Sequence, residues 1–157
     1  MTVITHSRRK SRLATMIDSA GGVTVGVALT RARDNIDKLR GKALEEVTRH
    51  IGELAALQQP STLDEKAESL RRIYQSANHV IDAASPFGLE EICAVASSLC
   101  DMVDRATAEH SFDWRILQVH IQSLQLLNTL PDDAVEERKA VTAQLSSMVA
   151  KKFGQAD

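Results

Sequence analysis

The chain has 157 residues, a formal net charge of −2 at pH 7, and 43% hydrophobic but only 3% aromatic residues. This length suits one domain with a single core, in which Ala, Leu, Val and Ile must provide most of the packing. A net charge so close to zero gives no long-range field that favours nucleic acid or a membrane surface. No apolar run approaches the roughly 20 residues of a transmembrane helix. We therefore expect neither nucleic acid nor a membrane as partner.

The cysteines and histidines indicate neither disulfides nor a metal site. Cys93 and Cys100 lie on one predicted helix, where a rise of 1.5 Å per residue separates them by about 10 Å, too far for a disulfide. Reduced cysteines are typical of a cytoplasmic protein. The histidines have no metal-ligand spacing and no glycine-rich phosphate loop is present, so we expect no metal and no other cofactor.

The sequence pattern of the N-terminal third of the chain predicts a flexible segment followed by a long helix. Residues 1–22 are polar and include a basic cluster at 8–12. We expect a flexible N-terminal segment over 1–22 and a folded helical domain over 23–157. Apolar residues then recur every three or four positions from about residue 25 to 57, which predicts a helix. Its predicted inward positions are Ile36, Leu39, Ala43, Val47, Ile51 and Leu54.

A second helix is predicted to end at about Ala84. Ser61 or Thr62 can cap its N-terminus through a side-chain oxygen. Its predicted inward positions are Leu70, Ile73, Ala77, Ile81 and Ala84. The dipeptide Ser85-Pro86 ends the helix, because a residue before proline avoids the α conformation.

Three more helices are predicted, from about residue 87 to 108, from 111 to 130, and from 131 onward. Their inward positions are Leu89, Ile92, Ala96, Leu99, Val103, Ala106, Trp114, Leu117, Ile121, Leu124, Val141, Leu145 and Met148. His120 lies on an apolar face, which predicts a buried histidine with a hydrogen-bond partner. The run 136–139, Glu-Glu-Arg-Lys, is predicted to be an exposed charged face.

These elements predict the fold class. The periodic segments are all helical, and short connections between amphipathic helices favour antiparallel neighbours. We therefore expect an all-α protein: an antiparallel up-and-down four-helix bundle with an additional helix and a flexible N-terminal segment.

Residues 77–89 resemble the phosphoryl-accepting helix of bacterial histidine phosphotransfer (HPt) domains. In that family a histidine is followed by lysine at the third residue, a small residue at the fourth and glycine at the tenth. The ungapped match places Asn78 at the histidine position, Ile81 at the lysine position, Asp82 at the small position and Gly88 at the glycine. The resemblance covers about residues 30–150.

The resemblance implies a signalling module of a two-component phosphorelay, with a response-regulator receiver domain or a sensor histidine kinase as partner. An asparagine amide nitrogen is not a nucleophile, and the Asp82 carboxylate repels an incoming phosphoryl group. The expected role is therefore a non-enzymatic docking module that accepts no phosphate. The predicted contact residues are Arg71, Gln75, Asn78, His79 and Asp82, together with residues from the following helix.

Two alternatives remain beside this hypothesis. Helical periodicity places Asn78 on the shoulder of the inward stripe and His79 directly away from it. His79 is the alternative phosphoacceptor and can pair with Asp82 one turn later. The other alternative is a structural helical bundle unrelated to phosphorelay. The oligomeric state is left open.

Overall fold

All regular structure in the described part of the protein is helical. The computed structural model describes residues 23–106 and 112–153. The five α-helices are α1 (Val25–Ala55), α2 (Leu63–Ala84), α3 (Glu90–Asp104), α4 (Trp114–Thr129) and α5 (Val135–Phe153), and a 3-10 turn (Ser85–Phe87) separates α2 from α3. The all-α prediction is therefore confirmed for these residues. The predicted flexible segment, 1–22, lies outside them.

The chain divides into two compact units, Met1–Asn35 and Ile36–Asp157, with the boundary inside α1. In the second unit α2 contacts α3, α3 contacts α4, and α5 contacts both α3 and α4. Within α1 the predicted inward positions Ile36 and Leu39 are wrong, since their side chains are 43% and 55% exposed. A helical stripe is buried only where another element packs on it, and periodicity along one helix does not indicate where that occurs.

Every helix contributes to one hydrophobic core in the second unit. Its fully or almost fully buried members include Val47, Leu54, Ile73, Val80, Ile92, Leu99, Leu117, Leu124 and Leu145. On α2, Ile73, Ala77 and Ala84 are completely buried as predicted. Leu70 and Ile81 are only half-buried at the edge of the core. The apolar face of α2 therefore points inward, and its opposite face is left for contacts.

Local sequence fixes both ends of α2. The Thr62 hydroxyl accepts from the Glu65 amide at 3.2 Å, and the Glu65 carboxylate accepts from the Thr62 amide at 3.2 Å. This reciprocal capping box starts the helix. Beyond its C-terminus Gly88 has φ = 68°, a left-handed conformation that glycine adopts without strain. The turn that results delays α3 to Glu90, three residues later than predicted.

The predicted exposed charged face at 136–139 is wrong for Arg138, which is only 5% exposed. Its Nη1 donates to the carbonyl oxygens of Leu127 at 2.9 Å and Leu130 at 3.2 Å. Its Nε lies 3.5 Å from the Glu91 carboxylate. The guanidinium thus satisfies carbonyls at the C-terminal end of α4, which explains why a charge is tolerated in the interior.

The cysteines are free thiols, as predicted. Burial raises the pKa of both, that of Cys100 to about 11. Because the thiolate is the reactive form, neither sulfur is activated. Within the described ranges no helix has both the length and the apolar character needed to cross a membrane.

Candidate functional site

A groove between α2 and α3 brings the five predicted contact residues together. It has a volume of about 620 Å³ and is lined by Arg71, Tyr74, Gln75, Asn78, His79, Asp82, Val103 and Asp104. We call it the α2/α3 groove. The residues from α2 are spaced so that they share one face of the helix. This face flanks the core-facing stripe of the same helix.

Asn78 is half-buried at the centre of this face. Its Nδ2 donates to the carbonyl oxygen of Tyr74, one turn earlier, at 3.0 Å. The amide is thus oriented by its own helix, and its nitrogen has no lone pair available for attack on phosphorus. Ile81 packs against the core instead of lining the groove, whereas the exposed Asp82 carboxylate lines it.

Arg71 is held at one edge of the groove by two side chains of its own helix. Its Nη2 donates to Glu68 at 2.7 Å and its Nη1 to the Gln75 side-chain oxygen at 3.0 Å. The hydrogen bond with Glu68 raises the pKa of Arg71 and lowers that of Glu68. Among the described residues of the lining, Asp82 and Asp104 carry two negative charges against the one positive charge of Arg71, so the lining is net acidic.

His79 is exposed, as predicted, but its ring packs against another helix. The ring stacks on that of His50 in α1, with centroids 4.7 Å apart and planes 18° from parallel. The pair between His79 and Asp82 that helical spacing allows is not formed among the described residues. Stacking on a ring of a neighbouring helix holds the imidazole in place, which periodicity along α2 alone does not reveal.

The ring beneath His79 is fixed by its own hydrogen bonds. His50 is 7% exposed, its Nδ1 lies 2.9 Å from Glu53 and its Nε2 2.8 Å from an Arg49 nitrogen. A guanidinium can only donate, so Nε2 accepts and Nδ1 carries the proton. The hydrogen bond from His50 lowers the pKa of Glu53. Ser76 of α2 donates to the same carboxylate at 3.4 Å, so the network joins α1 to α2.

His120 confirms the prediction of a buried, hydrogen-bonded histidine. It is completely buried, its Nδ1 lies 2.8 Å from the Ile116 carbonyl and its Nε2 3.0 Å from the Ser98 hydroxyl. Burial lowers its pKa, because the charged imidazolium loses solvation. No substrate can reach this ring, so it stabilises the core and performs no chemistry.

Three residues of the groove were missed in the sequence. Tyr74 could have been found, since helical geometry places it about 40° from Asn78 on α2. Val103 and Asp104 could not, because they belong to the groove only through the packing of α3 on α2. In the ranges 23–106 and 112–153, no group of three or more His, Cys, Asp or Glu side chains could hold a metal ion.

The groove offers an aromatic side chain, amide groups, one guanidinium and two carboxylates, which are groups that can pack against or hydrogen-bond to another molecule. Among the described residues of the lining, His79 alone carries ring nitrogens. Comparison with protein-family models, with curated proteins and with solved structures gives no match, so the resemblance to HPt domains rests on the residues of this chain alone.

Proposed function

We propose that this protein is an HPt-like docking module of a cytoplasmic two-component system. In this proposal the helices form an antiparallel up-and-down four-helix bundle with an additional helix. The module binds a response-regulator receiver domain or a sensor histidine kinase without accepting phosphate. One observation carries the proposal: the five residues that the resemblance assigns to the contact surface line a single groove.

The chemistry at the acceptor position supports binding without transfer. Phosphoryl transfer needs a nucleophile with an available lone pair, which the amide of Asn78 lacks. The Asp82 carboxylate opposes an approaching phosphoryl group, and Ile81 offers no positive charge to offset it. All three departures from the HPt pattern act in the same direction.

The groove has groups suited to holding a protein surface. Tyr74 is 38% exposed, so its ring can insert between side chains of a partner, and buried aromatic residues dominate binding energy at many interfaces. Asp82 and Asp104 complement a Lys or Arg of the partner. A module that binds the phosphorylated and unphosphorylated states of a receiver unequally shifts the population between them.

Binding can be measured by isothermal titration calorimetry against each purified receiver domain encoded in the same genome, with and without beryllofluoride as phosphoryl mimic. We expect at least one receiver to bind, and Tyr74→Ala to weaken that binding by about tenfold. Arg72→Ala is the matched control, because Arg72 is exposed on the same helix but does not line the groove. If Tyr74→Ala and Arg72→Ala weakened binding equally, the assignment of the α2/α3 groove as the contact surface would be contradicted.

Transfer through His79 is a second candidate, favoured by the position of this ring in the groove and its stacking on the fixed ring of His50. Intact-mass measurement after incubation with a phosphorylated receiver distinguishes transfer through His79 from docking without transfer. We expect no gain of phosphoryl mass. An acid-labile gain that disappears in His79→Gln would replace the docking proposal, and a chain that binds no receiver would support a structural bundle.

A further inference from the structure

A second groove lies between α4 and α5 and shares no residue with the α2/α3 groove. It consists of two adjoining cavities of about 370 Å³ and 330 Å³, which have Val119 and Met148 in common. On α4 its lining extends from Arg115 to Leu126. This separation corresponds to roughly 17 Å, or about three helical turns. We call it the α4/α5 groove.

The floor of the α4/α5 groove is apolar and open to solvent. Ile116 and Leu145 are buried beneath it, and Val119 and Met148 are half-buried along it. Leu126, at the far end, is 47% exposed. A row of apolar side chains over three turns of helix matches the apolar stripe of another helix of similar length.

The two ends of the groove differ in charge. Among the described residues at one end, Arg115, Lys151 and Lys152 surround one carboxylate, that of Asp113. Lys152 Nζ lies 3.0 Å and Arg115 Nε 3.4 Å from this carboxylate. Although burial raises the pKa of Asp113, hydrogen bonds from Lys152 and Arg115 lower it to about 2. The carboxylate is therefore ionised at neutral pH, and three positive charges against one negative leave this end basic.

The other end is uncharged. The side chains beside the apolar floor there are Gln122, Ser123 and Gln144. These amides and this hydroxyl can hydrogen-bond polar groups at the edge of a docked peptide. The groove thus combines an apolar floor, uncharged polar edges at one end and excess positive charge at the other.

We infer that the α4/α5 groove docks an amphipathic helix of a partner protein, about three turns long, whose acidic residues lie beside Arg115 and Lys151. The apolar stripe of that helix covers Val119, Leu126 and Met148. Charge complementarity sets its direction in the groove, because the reversed helix would place its carboxylates beside uncharged side chains. This surface is separate from the one in the proposed function, so either can fail without the other.

The probe for this inference is a fluorescein-labelled synthetic helix of about 12 residues. It carries leucines at helical spacing and three glutamates at one end, and a matched peptide has lysines instead. We expect the acidic peptide to bind the full chain at least about tenfold more tightly than the basic one. NMR shifts on binding should centre on Val119, Leu126 and Met148.

Variants separate the contributions of charge and floor. The double variant Arg115→Glu, Lys151→Glu should weaken binding of the acidic peptide on the order of tenfold, because negative charges of the protein and the peptide then lie side by side. The control, Lys42→Glu with Arg72→Glu, makes the same charge change at exposed positions outside the groove and should have little effect. Leu126→Glu should weaken binding of both peptides, because it places a charge in the apolar floor that both must contact. All these side chains are exposed, so the variants should fold.

Several results would overturn the inference. These are equal binding of the two peptides, no binding of either, or NMR shifts centred outside the α4/α5 groove. Binding to vesicles of equal phosphatidylcholine and phosphatidylglycerol that is lost in the Arg115 and Lys151 variant would assign the groove to an anionic membrane surface. Self-association in sedimentation that is lost in Leu126→Glu would assign it to a second copy of the chain.

Discussion

His120 and Arg138 are both buried polar residues, and each is accommodated by a different means. The ring of His120 stays neutral and bonds to a carbonyl and a hydroxyl. Arg138 stays charged and is surrounded by two carbonyls and the Glu91 carboxylate. In the described residues no buried side-chain nitrogen or oxygen lacks a hydrogen-bond partner. Removing either residue therefore leaves neighbours unsatisfied, and this makes their contributions measurable.

The neutral state of His120 predicts how stability depends on pH. Burial lowers the folded-state pKa below the ordinary value of 6.5. The unfolded chain thus takes up a proton at higher pH than the folded chain, so acid favours unfolding. We expect the free energy of unfolding to be fully retained above about pH 6.5 and to fall as the pH drops below it.

Urea unfolding of the parent and of His120→Gln at pH 5, 6, 7 and 8 tests this. Glutamine does not titrate, so the stability difference between the two proteins should shrink as the pH falls. A difference that stays constant over this range would mean that His120 is not the group responsible.

Arg138→Met should destabilise the protein by about 2–3 kcal/mol, because it leaves Glu91 and two carbonyls without their donor. Lys139→Met is the matched control: its side chain is 63% exposed and forms only a surface pair with Glu136. We expect this control to change stability by less than about 0.5 kcal/mol. Equal urea midpoints for the two variants would show that the buried guanidinium gives no net stability.

At the scale of elements, the junction between α2 and α3 depends on one backbone conformation. Gly88→Ala places a Cβ at φ = 68°, although nothing lies within 4 Å of it. We expect a loss of about 1 kcal/mol from backbone strain alone. Gly52→Ala, also without a neighbour within 4 Å but inside α1, should instead stabilise by about 0.5–1 kcal/mol. A lower melting temperature for Gly88→Ala and a higher one for Gly52→Ala would support this expectation. Shifts of the two variants in the same direction would contradict it.

The sequence predicted those features that depend on neighbouring residues in the chain. The cap at Thr62 and the end of the helix at Ala84 are local features, and both positions were predicted correctly. The reason given for the end was wrong, because Ser85 before Pro86 keeps the α conformation, with φ = −58° and ψ = −43°, and the chain continues in a 3-10 turn. The exposure of Ile36 and Leu39 was missed because it depends on which elements pack nearby. The burial of Arg138 was missed for the same reason, since its partners lie on other elements. For the groove, the face of α2 and a contribution from the following helix were predicted, whereas the individual residues Val103 and Asp104 were not.

At the scale of the whole molecule, the proposed HPt-like function predicts that three substitutions introduce phosphoryl transfer. Asn78→His alone should transfer phosphate feebly, because Asp82 still repels it. Asn78→His with Ile81→Lys and Asp82→Ala should transfer more, since nucleophile, positive charge and clearance are then present together. Ile81 is half-buried at the edge of the core, so a lysine there can follow the apolar surface and place its ammonium in water.

Phosphoryl mass on the triple variant, after incubation with a phosphorylated receiver that binds the wild type, measures this transfer. The control adds His79→Gln to the triple variant, so that any phosphate must be on residue 78. A triple variant no better than Asn78→His would contradict the match of Ile81 and Asp82 to the family positions.

The capping box of α2 also has a consequence for protein engineering. Ser61, Thr62 and Glu65 form the hydrogen bonds that define the start of the helix, so residues 56–60 do not set its register. A reporter peptide inserted between Gln58 and Gln59, both exposed, should therefore leave the α2/α3 groove intact. Gln59 lines a cavity together with Asp113, Arg115 and Lys152, which also form the basic end of the α4/α5 groove. A fluorophore attached at this site would therefore lie beside that groove and report a peptide bound in it.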